Sequence, residues 1–167
     1  MRFTKITFND LRFLHDIRNL YAKEFLHDSR TFDLLQTYNW FNNTNPNFWI
    51  IWVNGDKIGY FRLSNYSKEN HNIYIGADIH PKFIGKGLGY ESYKEFMSFL
   101  FNDKEYNLHK ISLEVLATNS RAIHLYKKLG FIQEGCKRQE VLKDDMYVDS
   151  IIMSILKNEF INNNSLL

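Results

Sequence analysis

Apolar and polar positions recur along this chain with changing periods, and each period predicts an element. "RFTKITF" (2–8) alternates as a strand does. After Asn9 and Asp10, which suit a helix cap, Leu11, Leu14, Ile17, Leu20 and Tyr21 fall at helical spacing. "TFDLLQTYNWFNN" predicts a second helix, broken by "NTNPN". "FWIIWV" (48–53) and "KIGYFRLSN" then read as strands joined by Asn54-Gly55-Asp56, a hairpin signal. "HNIYIGADIHP" is a further strand ended by Pro81. A glycine-rich loop opens a helix with Tyr93, Phe96, Met97, Leu100 and Phe101 on one stripe. "HKISLEVLA" predicts a strand, and "TNSRAIHLYKKLGF" a helix closed by Gly130. "IQEGCKRQEVLKDDMYVDSIIMSIL" divides into two strands joined near Lys143–Asp145, and the polar tail 158–167 is expected to fray. The order β-α-α-β-β-β-α-β-α-β-β predicts an α/β fold, a mixed sheet with helices on its faces, in one domain over 1–157.

Composition narrows the function classes. A chain of 167 residues fits one core, and two prolines with no repeat mark no second domain. A net charge of +2 gives no ground for a nucleic-acid or membrane partner. No window reaches the ~18 apolar residues of a spanning helix, and the first ten residues carry no apolar signal segment. The one cysteine, Cys136, rules out an internal disulfide and fits a reducing cytoplasm, where the protein is expected. Six scattered histidines show no metal-ligand spacing, so no metal is expected.

The glycine loop is the first candidate for chemistry. "IGKGLG" (84–89) fails the Walker spacing, because Gly87 follows Lys86 and His80 stands five before Gly85. It also fails the dinucleotide fingerprint, since Tyr90 stands where the third glycine belongs. What remains is a run of glycines after a strand and before a helix. Amides unobstructed by Cβ and a helix N-terminus together favour a pyrophosphate.

A second motif lies thirty residues on: Asn119, Ala122, Tyr126, Gly130 and Phe131, spaced N-x-x-A-x-x-x-Y-x-x-x-G-F. With the loop, it resembles the GNAT superfamily of N-acetyltransferases, whose first motif is [QR]-x-x-G-x-[GA]. The likeness covers roughly residues 55–156 and continues through "GFIQEG", Tyr147-Val148-Asp149 and "IIMSIL". Ile84 departs from it, standing where the family usually has Gln or Arg. The resemblance implies a GNAT fold, with a mostly antiparallel sheet splayed between two parallel strands. It implies acetyl-CoA as co-substrate, held by Ile79, His80, Ile84, Gly85, Lys86, Gly87, Leu88, Gly89, Tyr90, Asn119, Ala122 and Tyr126. It also offers Tyr126 as the acid that protonates the leaving thiolate.

An attacking amine must lose a proton. Glu114, on the same strand face as Ser112 and Leu116, and Asp78 on the neighbouring strand are the candidate bases. Tyr74 stands where polyamine-acetylating relatives often carry an acid. Within the superfamily the chain resembles the RimJ/RimL-like branch, and its first two helices resemble enzymes that acetylate the amino group of UDP- or dTDP-linked 4-amino-4,6-dideoxysugars. On that reading Arg18 and Arg30 pair with a diphosphate, Asn19 assists, and Tyr21, Trp40, Phe41 or Trp49 stack on base or sugar. A polyamine or a protein N-terminus is the alternative acceptor. A non-catalytic CoA-binding module is the alternative of another class, and a homodimer is left open.

Overall fold

The computed structural model describes residues 1–165. Among these, seven strands form one sheet: β1 (Arg2–Lys5), β2 (Phe48–Val53), β3 (Asp56–Ser67), β4 (Asn72–Ile79), β5 (Lys110–Leu116), β6 (Ile132–Lys143) and β7 (Met146–Leu156). Their spatial order is β1-β2-β3-β4-β5-β7-β6. Every pairing is antiparallel except β4 with β5. Helices α1 (Leu11–Tyr21) and α2 (Leu34–Thr44) cover one face; α3 (Leu88–Asn102), α4 (Ser120–Lys128) and α5 (Lys157–Ser165) serve the other.

Local chemistry accounts for the turns. Asn54 and Gly55 both have positive φ, as the two-residue β2–β3 hairpin requires. Asp144 and Asp145 do the same between β6 and β7. Strand alternation then divides the apolar residues. The larger core takes Phe61, Leu63, Ile73, Ile75, Leu113 and Val115 from the sheet and Phe96, Met97 and Leu100 from α3. The smaller takes Ile50 and Tyr60 with Leu11, Leu14 and Ile17 of α1.

The parallel pair decides the shape. β4 and β5 are in register only at Asn72–Lys110, Ile73–Ile111 and Tyr74–Ser112. Beyond Tyr74 and Ser112 they separate, so Ile75–Ile79 and Leu113–Leu116 border an opening through the sheet. The β3–β4 ladder fixes what faces it. His80 N–H bonds back to Ile58 and Leu63 N–H reaches Asn47, so even-numbered β4 residues bond β3. The N–H and C=O of Ala77 and Ile79 therefore point into the opening.

The tail departs from the expectation. Leu156 N–H donates to Glu159 at 2.9 Å, so a helix starts as β7 ends. Phe160 is buried against Phe101, ring centroids 5.3 Å apart. The surrounding asparagines masked that anchor; residues 166 and 167 lie outside the described residues. Replacing Phe160 with Ala should lower the unfolding free energy by on the order of 3 kcal/mol in denaturant titration. A frayed tail would lose less than about 0.5 kcal/mol.

Candidate active site

Two clefts reach the splay from opposite faces of the sheet. One, of about 370 Å³, runs between the glycine loop and α4 and is lined by Ile79, Ile84, Gly85, Gly87, Gly89 and Tyr90. The other, of about 250 Å³, lies under the segment after α1 and is lined by Arg18, His27, Asp28, Arg62, Gly76 and Glu114. Phe25, Ala77, Asp78, Asn119 and Tyr126 line both. A group delivered along one cleft can thus react with a group delivered along the other.

The first cleft is built for an anionic ligand with an extended arm. Asp33 caps α2 and Asn119 caps α4 with a side chain, but Gly87 leaves the N-terminus of α3 without one. The first-turn amides of this 15-residue helix are free to meet an anion. Gly85 and Gly87 sit at φ +78° and +75°, and a Cβ on either would meet no protein atom within 4 Å. Their bare backbone faces space. Arg121 and Lys128 line the same cleft and add positive charge. Pyrophosphate fits the amides, and an amide-bearing arm fits the open edge of Ala77 and Ile79.

Several expected ligand contacts fall elsewhere. His80 turns away: its N–H is spent on Ile58, and its ring Nδ1 accepts from Lys82 N–H at 3.2 Å. The Ile79 carbonyl is taken by the Tyr21 hydroxyl at 2.7 Å, which puts Tyr21 in the glycine-loop cleft. Lys86 lies 5.6 Å from the Phe83 ring, and the Leu88 side chain packs into the larger core. Asn119 Oδ1 accepts from Ala122 N–H at 3.1 Å, so only its amide NH₂ can donate to a ligand. Ile84 lines the cleft with an apolar side chain.

At the junction, Tyr126 is buried, with its hydroxyl 3.2 Å from that of Tyr93. Burial holds the Tyr126 phenol above its ordinary pKa, although the Tyr93 hydrogen bond pulls the other way. It keeps its proton at neutral pH. Asp78 Oδ2 accepts from Tyr60 at 2.6 Å and from Arg62 at 2.9 Å. Its Oδ1 takes no hydrogen bond among the described residues and belongs to a side chain lining both clefts. Gly76 makes this arrangement possible, since a Cβ there would stand 2.8 Å from Arg62 Nη2.

Glu114, the other candidate base, is ion-paired. Lys137 Nζ is 2.7 Å from its Oε1, and His27 Nε2 is 3.9 Å from Oε2. The acceptor residues read from the first helices are also redistributed. Asn19 clamps the backbone of Phe32 through both its amide groups, so it shapes the 22–33 segment. Arg30 is exposed and forks onto Asp28, whose carboxyl it holds down to about 2. Phe41 packs into the smaller core, and Trp49 meets Phe96 and Phe99 at steep interplanar angles of 60° and 61° in the other core. Trp40 lines a further cavity of about 410 Å³ between α1, α2 and β3, which shares Arg18 and Arg62 with the acceptor-side cleft.

Sequence reasoning missed Tyr60, Arg62, Tyr93 and Lys143. The alternation of β3 put Tyr60 and Arg62 on the face of Asp78, a signal available once the pairing was known. Nothing local marks Lys143, whose ammonium donates to Ala22 O, Leu26 O and Ser29 Oγ. It satisfies carbonyls at and just beyond the C-terminal end of α1 and tethers the segment that carries His27 and Asp28.

A model of the Acetyltransferase (GNAT) family matches residues 14–131. The chain belongs to the GNAT family. It is 30% identical over 159 residues to spermidine N(1)-acetyltransferase of Vibrio cholerae, spanning 92% of this chain and 91% of that protein. It is 27% identical over 99 residues to the ribosomal protein uS5 alanine N-acetyltransferase of Escherichia coli, spanning 59% and 50%. A crystal structure of spermidine N-acetyltransferase from Vibrio cholerae in complex with CoA and spermine matches the fold with a TM-score of 0.87. That match has 23% identity and covers 96% of this chain and 98% of the other. The mixed sheet with one parallel pair is thus the GNAT fold, and this GNAT enzyme transfers acetyl from acetyl-CoA to an amine. These relatives do not support the aminosugar-acetylating branch expected from the first helices.

Two outcomes test this geometry. Gly87→Ala should cost about 1 kcal/mol of stability, because only glycine holds that φ without strain. It should also weaken acetyl-CoA binding at least tenfold by calorimetry, since the new methyl enters the space a ligand needs. Lys143→Met should raise KM for the amine several-fold while KM for acetyl-CoA holds, in steady-state assays.

Proposed function

We propose that this enzyme acetylates a primary amine of a polyamine. The observation that carries the acceptor class is the similarity to a spermidine N(1)-acetyltransferase along almost the whole of both chains. The site suits the chemistry. Three carboxylates, Asp28, Asp78 and Glu114, line the acceptor-side cleft.

The two sides of the reaction divide between the shared residues. The amine enters along the acceptor cleft and must arrive uncharged to attack the thioester carbonyl. Arg62 beside Asp78 places positive charge near the incoming ammonium, which favours its neutral form. Asp78 Oδ1 accepts the proton, directly or through water. Tyr126 donates to the sulfur as the carbon–sulfur bond breaks, which its retained proton allows. Acetyl-CoA is held on the opposite side by the amides of Gly85–Tyr90, with Asn119 NH₂ and the Ala77–Ile79 edge along its arm.

The aminosugar reading loses its support in the acceptor residues as well. Arg30 and Asn19 are committed to the 22–33 segment, and Trp49 faces the other core. The first test is thiol release from acetyl-CoA over a panel of spermidine, spermine, an N-terminal peptide and a UDP-4-amino-4,6-dideoxysugar. Turnover is expected on the polyamines. Turnover confined to peptide or sugar would replace the acceptor and leave the transferase. Tyr126→Phe should lower kcat by roughly 10²-fold or more, the range of a lost general acid. KM for acetyl-CoA should stay within a factor of a few; an unchanged kcat would remove Tyr126 as the proton donor.

A further inference from the structure

The amine that reacts and the amines that do not have opposite needs. The first must shed its proton, whereas the others stay charged at neutral pH and want a carboxylate. The cleft offers both environments. Asp78 is already neutralised by Arg62, with Nη1 2.9 Å from Oδ2 and the side chains 31% and 8% exposed. Glu114, on the other lip of the splay, has only a labile partner.

That partner is Lys137, whose Nζ lies 2.7 Å from Glu114 Oε1. It arrives from the edge strand β6, is 39% exposed, and also lies 3.7 Å from Glu140. Such a pair is weakly held, since a long exposed side chain pays entropy to stay in one place. The second cation near Glu114 would be His27, but burial lowers the pKa of its ring against the pull of Glu114. Its Nε2 is engaged with Ser150 Oγ at 2.7 Å, so it does not neutralise Glu114 at neutral pH. The position therefore already holds a primary ammonium on an alkyl chain. A polyamine carries the same group.

We infer that Glu114 is the subsite for the distal ammonium of a di- or polyamine acceptor, and that Lys137 is its resident counter-ion, displaced when the acceptor binds. The inference rests on the polyamine reading above. Strand geometry supports the span. From the Tyr74–Ser112 pair, Asp78 is four residues along β4 and Glu114 two along β5. At about 3.3 Å per residue and about 4.8 Å between strands, their Cα positions are at least roughly 8 Å apart. A linker of three or four methylenes with a hydrogen bond at each end covers such a gap. Length selection follows, because a monoamine reaches one end alone.

The test compares kcat/KM for spermidine with kcat/KM for propylamine in the wild type, Glu114→Gln and Lys137→Met. Glu114→Gln should reduce that ratio at least tenfold. Lys137→Met frees the carboxylate and should raise it several-fold, mainly through a lower KM for spermidine. The melting temperature and KM for acetyl-CoA, measured alongside, report whether either variant is merely misfolded. An unchanged ratio in both well-folded variants overturns the subsite and leaves the polyamine reading intact. A wild type that turns over another amine but not spermidine overturns that reading, and the subsite with it.

Discussion

Parallel strands that pair for three residues and then part are the constraint on which the rest of the molecule depends. A parallel ladder cannot stop partway without exposing unpaired N–H and C=O groups, which cost free energy unless something meets them. Here the unpaired edge of Ala77 and Ile79 borders a cleft, and one of its carbonyls is already met by Tyr21. The surrounding antiparallel pairs, β3 with β4 and β5 with β7, run the full length of the splay and hold it open. Because the gap passes through the sheet, two faces that would otherwise be separate cores share five residues. Catalysis between a nucleotide-bearing donor and a small amine needs such a meeting point.

Electrostatics then assigns the sides. The glycine-loop cleft presents helix-terminal amides, Arg121 and Lys128, while the opposite cleft presents Asp28, Asp78 and Glu114, each with a cation beside it. Paired carboxylates are not interchangeable. Asp78 is buried and doubly hydrogen-bonded by rigid partners, so its charge is fixed in place. Glu114 faces a flexible lysine, so its charge is available for exchange. A burial difference on two neighbouring strands separates the two roles.

How much of this was readable from the residues differs by kind of signal. Element order was readable because Gly, Pro and Asn-Gly punctuate it, and "FWIIWV" coincides with β2 residue for residue. That Gly85, Gly87, Asn119 and Tyr126 come to line one cleft was readable too, since they lie in two local motifs. The acceptor side was not. Asp78, Tyr60 and Arg62 come together only through the β3–β4 register, and Lys143 meets Ala22 and Leu26 across more than a hundred residues. Arg18, Asn19 and Arg30 looked like ligand contacts, yet the carbonyls of Arg30 and Phe32 engage the first two and the Asp28 carboxylate engages the third. Charge and aromaticity in a helix do not say whether a side chain serves a ligand or its own loop.

The open N-terminus of α3 has a further consequence. In the binding mode proposed above its amides meet a diphosphate, and that part of the coenzyme is the same before and after the acetyl group has gone. Such uniform binding cannot favour departure of the product over retention of the substrate. Discrimination must come from the few atoms around Tyr126 and Asp78, while the bulk of the affinity is blind to turnover. Where total coenzyme saturates the site, its occupancy by the acetylated form follows the ratio of acetylated to free coenzyme. Through the uncapped end of one helix, the fold ties modification of an amine to the acetyl supply.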